Sequence, residues 1–219
     1  LQLGTPVVDV TLPSEKSIVL AVGDTFRGVT DAAVYVLRSD GSRAVFPDPD
    51  IYFSYFDKFD NVLTINDDQL RKLPLGKRIT MRPGTWLVKI QSDPKVYAVE
   101  KDGILRHIPD ESTARFLYGS QWNKQVKDVN VAFFRDYKVG EALPTNTYLP
   151  DGTVFSYEES PQLFVLQNRI RRLFLDTEAF VLNHFQERFV RDISVVFEFD
   201  EGEPVKGEDP ALLKDLVGL

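Results

Sequence analysis

Few side chains in this 219-residue chain combine the chemistry and the spacing that catalysis or metal binding would need. There are two histidines and no cysteine. His107 follows Arg106 in an alternating stretch, and His184 opens His184-Phe185-Gln186-Glu187, which lacks the second histidine of a zinc-binding His-Glu-x-x-His helix. Both are expected to be structural. Without cysteine, disulfides, thiolate nucleophiles and cysteine-ligated metals are excluded together. No nucleophile elbow, phosphate-cradling glycine loop or Ser/His/Asp arrangement is present, and Asp40-Gly41 and Asp102-Gly103 read as hairpin turns. The expectation is a protein that is not an enzyme.

Acidic clusters are the remaining metal candidates. Asp48-Pro49-Asp50, Asp57-Lys58-Phe59-Asp60, Asp67-Asp68 and Glu198-Phe199-Asp200-Glu201 offer the hard oxygens that Ca2+ prefers, yet none has the Asp-x-Asp-x-Asp-Gly order of a helix-loop-helix site. Helix capping and a solvated acidic face explain them more simply. No cofactor is therefore expected, Ca2+ being the one cation these residues admit.

Aromatic side chains suit a different chemistry, because a flat apolar face with a polar edge fits a pyranose ring. Trp86, Trp122, Tyr52, Tyr55, Tyr118, Tyr137 and Tyr148 are the side chains with that character that invite the reading. Tyr35, Tyr97 and Phe164 hold equivalent places in a recurring pattern and are expected in the core. Tyr52, Tyr55, Trp86, Trp122 and Tyr148 stand as the candidate ligand-binding residues. Arg43, Arg106, Arg171 and Arg172 recur too. Each either lies along a sheet with its head beside a capping aspartate or faces an anionic wall polymer, and the acidic total favours the first.

The elements that must position these residues follow one order three times. A glycine precedes a short apolar run; a second apolar-aromatic run, a polar turn and an arginine-bearing run follow; an acidic residue then opens a helix-like stretch. The turns are Ser39-Asp40-Gly41-Ser42, Lys101-Asp102-Gly103-Ile104 and Gln167-Asn168-Arg169, and the exits are Phe46-Pro47-Asp48, Ile108-Pro109-Asp110 and Phe174-Leu175-Asp176. Apolar pairs Val62/Ile65, Val126/Val129 and Val190/Ile193 come next, and Gly76, Gly140 and Gly202 close each stretch. Intervals of roughly 60 residues across every landmark are the signature of an array of similar units.

The expected fold is α+β and strand-rich: three tandem β-hairpin-plus-helix repeats, each a small antiparallel sheet of about three strands under one helix. The boundaries are a strand-like leader over 1–21, repeats over 22–82, 83–143 and 144–205, and a C-terminal helix within 206–219. Within and beside the leader, Thr5–Pro13 reads as an edge strand or an extended linker and Ser17–Val22 as a strand. Asp209-Pro210 supplies a cap and a first-turn proline for the last helix. Pro144–Pro150 is an insertion and a hinge or turn. The stretch before Ser17 reads as a joint to something upstream, with which Leu1 in place of a methionine agrees. A rod and a pseudo-threefold cluster are equally compatible with the pattern.

Sixteen phenylalanines and 43% hydrophobic residues supply a core and exclude wholesale disorder. A net charge of −7 argues against a nucleic-acid partner, which requires a basic surface. No apolar run approaches the ~18 residues of a membrane span.

Pro83-Gly84-Thr85-Trp86-Leu87-Val88-Lys89, Val96-Tyr97-Ala98-Val99 and Gly103-Ile104-Leu105-Arg106-His107-Ile108-Pro109 together resemble a repeat of exported and surface proteins of Parcubacteria-like and actinobacterial bacteria, of the form Gly-Thr-Leu-(Ile/Val)-(Lys/Arg), Val-Tyr-x-Val, Gly-x-x-Arg-x-Ile-Pro. Leu117-Tyr118-Gly119, Trp122 and Val126–Val129 extend the likeness, which covers about residues 22 to 205. The third copy departs from it, with Ser156-Tyr157 in place of the basic residue and Leu175 in place of proline. The resemblance implies an extracellular or cell-surface setting and a part in envelope structure or attachment, with a cell-wall polymer, another surface protein or further copies of the chain as partner. Two other readings remain: a carbohydrate-binding module using exposed aromatics, and an accessory domain of an upstream enzyme.

Overall fold

The computed structural model of the protein describes residues 18–144, 148–158 and 160–218. The expected edge strand or linker at Thr5–Pro13, Ser17, and the Thr145–Thr147 part of the insertion lie outside them. The first sheet is built from β1 (Thr25–Gly28), β2 (Tyr35–Leu37), β3 (Arg43–Val45) and β4 (Leu63–Ile65), with helices α1 (Pro49–Phe53) and α2 (Asp67–Lys72). The second contains β5 (Leu87–Ile90), β6 (Asp93–Glu100), β7 (Ile104–His107), β8 (Val126–Asp128) and β9 (Lys138–Val139), with α3 (Glu111–Tyr118) and α4 (Val131–Phe134). The third contains β10 (Val154–Tyr157), β11 (Phe164–Gln167), β12 (Ile170–Leu173), β13 (Arg191–Ile193) and β14 (Asp200–Glu201), with α5 (Thr177–Leu182) and then α6 (Pro210–Val217). The protein is thus α+β, with sheets of four, five and five strands and short helices.

Local chemistry accounts for the helix starts. Asp48, Asp110 and Asp176 are extended at the position before α1, α3 and α5, and each side chain accepts a hydrogen bond from an amide of the first turn, Asp50, Thr113 and Ala179 respectively. Asp209 does the same for α6 through the Ala211 amide, and Pro210 fills the first turn, where a missing N–H costs nothing.

The sheets are mixed, not antiparallel as the sequence suggested. In each, the first strand pairs antiparallel with the second and parallel with a later edge strand: β1 with β4, β5 with β8, β10 with β13. Each edge contains one residue of an apolar pair after the helix, Ile65, Val126 or Ile193, and the other, Val62, Val129 or Val190, adjoins it. The helix carries the chain across and lets the return strand run parallel, a connection that a run of apolar residues does not announce. The other edge is parallel as well, through β7 with β9, β12 with β14, and a bridge between Arg43 and Leu75. Backbone bonds outside the ladders fall at matching places. Gly23, Gly84 and Gly152 donate to the Leu37, Val99 and Leu166 carbonyls at 2.8, 3.1 and 2.8 Å. Gly76, Gly140 and Gly202 donate to Arg43, Leu105 and Arg171 at 2.8, 2.9 and 2.9 Å. Ile79, Leu143 and Val205 donate to Val45, His107 and Leu173.

Two expectations need correction. Ile18 to Val22 is not a strand; β1 already has β2 and β4 on its two sides, and Ile18 instead donates its N–H to the Gln69 side chain at 3.2 Å. The first hairpin is not closed by a two-residue positive-φ turn. Asp102 and Gly103 (φ 60° and 68°) and Asn168 and Arg169 (52° and 66°) fit that geometry, but only Gly41 (77°) is left-handed in the first loop. There the Asp40 carboxylate accepts from the Ser42 amide and hydroxyl, at 2.9 and 2.6 Å, and stabilises a longer loop.

The three sheets share cores. One cluster joins Val36, Phe46, Tyr52 and Tyr55 to Val88, Tyr97 and Leu105 and to Leu213 and Leu216 of α6. Another joins Leu87, Ala98 and Leu117 to Phe155, Phe164 and Ile193. Between the second and third sheets the turns around Gly84 (φ 72°) and Gly152 (φ 88°) meet backbone to backbone: a Cβ on Gly84 would lie 2.3 Å from Gly152 main-chain atoms.

Candidate binding cleft

The structure does not bring the five candidate aromatics together. Tyr52 and Tyr55 are 1% and 3% exposed, so neither offers a face to a sugar. Tyr52 stacks on Phe59 at 4.4 Å and donates its hydroxyl to the Lys58 carbonyl at 2.8 Å. Tyr55 packs on Phe46 at 6.3 Å. Runs of aromatics after a helix cap are what a small sheet needs to fill the space beneath that helix. Trp122 is half-buried against the core shared by the second and third sheets. Tyr148 is half-buried; the Arg169 guanidinium lies 4.1 Å from its ring centre, and its hydroxyl donates to Glu100 at 3.0 Å.

Trp86 lines a cleft of about 430 Å³ between the last turn of α3 and the segment entering β13; Tyr55, 3% exposed, only edges another of about 360 Å³ beside His184. The capping aspartate and the buried face of α3 (Ala114, Leu117, Tyr118) point Phe116 outward, 47% exposed. Gly119 (φ 78°) then turns the chain away and opens the end of the helix. Opposite, a single 3-10 turn (Glu187–Phe189) and the start of β13 bring in Arg188 and Arg191.

Cations in and beside this cleft lie over aromatic rings. Arg191 sits 4.2 Å from the Tyr118 ring centre, Lys127 4.3 Å and Arg188 5.4 Å from that of Trp86. Lys127 is committed to Asp50 at 2.9 Å, while Arg188 lies 3.7 Å from Asp57 and donates to the Phe53 carbonyl at 2.6 Å. Arg191 donates to neutral acceptors only, Gln125 Oε1 at 3.2 Å and the Thr85 carbonyl at 3.1 Å, and its Nε is buried without a partner among the described residues. Burial pushes the Tyr118 hydroxyl up to about 12, so it stays protonated near neutrality. Asp192, the one acid lining the cleft, accepts from the Ser156 hydroxyl at 2.6 Å. Trp86 and Tyr118 were legible as candidate aromatics; Phe116, Arg188 and Arg191 were not. The only hint was the basic-aromatic run Arg188-Phe189-Val190-Arg191.

A second polar centre lies where the sheets meet. Arg82, 3% exposed, donates to the Asn183 carbonyl at 2.7 Å and to that of His184, between the rings of Phe185 (3.9 Å) and Tyr55 (5.4 Å). Burial brings its guanidinium down to about 10 and, with the charge of Arg82, His184 down to about 4. A void of about 50 Å³ beside it is lined by Tyr55, Lys101, Asp151 and Asp215, the last two held above the usual carboxylate range by burial. An organic ligand needs several times that volume, so this centre is mortar between sheets.

The acidic clusters have local work. Asp48 caps α1, Asp67 accepts from the Thr30 hydroxyl at 2.6 Å, Asp68 pairs with Arg71 and Glu201 with Arg171. Among the described residues no group of three or more metal-ligating side chains converges. The recurring arginines are occupied as well: Arg106 pairs with Glu100 and Arg172 with Asp209, the α6 cap, at 2.6 and 2.7 Å. Among the described residues no helix is long and apolar enough to cross a membrane.

No protein-family model matches the chain, and no curated protein matches it. Among solved structures it is similar to a chain of the periplasmic assembly from the ESX-5 inner membrane complex, with 12% identity over 89% of this chain and a TM-score of 0.24. It is likewise similar to a chain of the intact ESX-5 inner membrane complex, with 13% identity over 89% and a TM-score of 0.23. The chain spans 65% and 56% of those two chains, respectively.

Proposed function

We propose that this chain is a non-enzymatic repeat module of a bacterial cell-surface or secreted protein that acts in envelope structure or attachment. One hairpin-plus-helix unit is used three times, over 22–82, 83–143 and 144–205, and α6 ties the copies together. The observation that carries the reading is the matching set of backbone hydrogen bonds: three glycine-to-strand bonds, three late-glycine bonds and three edge bonds, at corresponding places in each sheet. A scaffold of this kind works by display, holding a broad surface rigid against a wall polymer, another surface protein or further copies of itself. The test is sedimentation of the protein with purified bacterial wall polymers, with its own oligomeric state measured alongside; a monomer that co-sediments with none of them and turns over a glycan would sink the reading.

The cleft beside Phe116 and Trp86 favours carbohydrate as the partner, since it sets aromatic surface beside hydrogen-bond donors. Trp86→Ala should weaken polymer binding at least threefold, and its melting temperature, lowered by the loss of packing on Phe189, is measured alongside to establish that the variant is folded at the binding temperature.

A further inference from the structure

The cleft is out of keeping with the rest of an acidic chain. It gathers two guanidinium groups, Arg188 and Arg191, against the one lining carboxylate of Asp192, with Asp57 outside the lining 3.7 Å from Arg188, in a protein of net charge −7. Arg191 is the sharper anomaly. A guanidinium with a nitrogen shut off from solvent is expected to meet a carboxylate or to spend every N–H, yet half-buried Arg191 donates, among the described residues, only to Gln125 and the Thr85 carbonyl and keeps Nε unpartnered. Tyr118 fixes its plane from one side at 4.2 Å, which sets the fork in place before any ligand arrives. Beside it stands Phe116, 47% exposed.

We infer that this cleft takes an acidic polysaccharide, with a uronate carboxylate against Arg191 and Arg188 and its sugar ring on Phe116. The inference rests on the polymer-binding reading above and adds the charge of the polymer. A neutral sugar would leave the Arg191 charge uncompensated. A phosphate-bearing chain would engage the arginines and leave Phe116 idle. A sugar ring carrying a carboxylate uses both, through a charge-assisted fork and an apolar face.

The probes are polygalacturonate, the same polymer fully methyl-esterified, and inorganic polyphosphate, each titrated into the full chain by calorimetry at two salt concentrations. Polygalacturonate should bind; esterification should weaken it at least tenfold, and raising salt from 50 to 200 mM should weaken it severalfold. Arg188→Gln and Phe116→Ala change side chains 43% and 47% exposed and should fold. Each should weaken polygalacturonate at least fivefold, with the melting temperature as the control for folding. Equal binding of the esterified polymer with loss in Phe116→Ala overturns the acidic assignment and leaves the polymer-binding reading standing. Preference for polyphosphate without any effect of Phe116→Ala overturns it in favour of a phosphate polymer. No binding to any of the probes, at either salt, overturns the inference; if wall polymers also fail to co-sediment, the broader reading falls with it.

Discussion

His184 sits left-handed at φ 56° with its ring edge-on to Phe56 at 4.8 Å, and burial together with Arg82 lowers its pKa to about 4. The unfolded chain titrates near 6.5 and so binds more protons than the folded one between pH 6.5 and 4. Stability from this residue is therefore present above pH 6.5 and lost as pH falls toward 4, with a slope of at most about 1.4 kcal/mol per unit. His184→Asn tolerates the same backbone and removes the titration. Its unfolding free energy, followed by denaturant titration from pH 7 to 4.5, should decline less steeply than that of the parent. Parallel profiles would mean that the imidazole is solvated. Tyr55 makes a complementary case, because its hydroxyl is buried with no partner among the described residues. Tyr55→Phe should change stability by less than about 1 kcal/mol or raise it, since no hydrogen bond is lost. A loss above about 2 kcal/mol would show that the hydroxyl is satisfied in solution.

At the scale of elements, the turns decide more than the strands they join. Gly84 and Gly41 share a left-handed backbone, φ 72° and 77°, but only Gly84 faces main chain at contact distance; around Gly41 nothing lies within 4 Å of an added Cβ. Gly41→Ala should cost about 1–2 kcal/mol, the backbone penalty alone. Gly84→Ala adds a clash that no rotamer relieves, and should exceed about 3 kcal/mol. Comparing the two chemical-denaturation midpoints isolates the packing of the second turn on the third; equal losses would mean the turns are not in contact. The capping aspartates and the hairpin turns of the second and third sheets were readable from sequence because their partners lie within three residues. The parallel edges were not. Val126 pairs beside Leu87, and Arg191 beside Phe155, across a helix whose length sets the distance without naming the direction.

Across the whole molecule, α6 is the fastener. The Ser39 amide donates to the Val217 carbonyl at 2.8 Å, the Asp102 amide to Asp215 at 2.9 Å, and the Asp209 amide to Asn183 at 2.8 Å, so one helix touches all three sheets' surroundings. Leu216, fully buried, is the clearest probe. Leu216→Ala should cost about 2–5 kcal/mol. Because the core clusters cross sheet boundaries, calorimetry of the parent should give one unfolding transition, in contrast to the stepwise melting of a linear array. Two or three separate transitions would refute the shared core.

Much of the candidate site escaped the sequence for the same reason. Trp86 and Tyr118 stand out by residue type, but Arg188 and Arg191 are ordinary basic residues until β13 pairs beside β10 and lays them against α3. What the chain alone determined is everything carried by near neighbours: the strand-rich α+β class, the helix starts, the hairpin turns of the second and third sheets, the lack of thiol chemistry and the acidic total. Tertiary structure decided which aromatics are core, that the sheets cluster instead of forming a rod, and that Arg191, without a carboxylate partner among the described residues, shares a cleft with Arg188. Burial and long-range pairing are properties of the folded surface as a whole, and no local pattern of residues encodes which faces will end up covered.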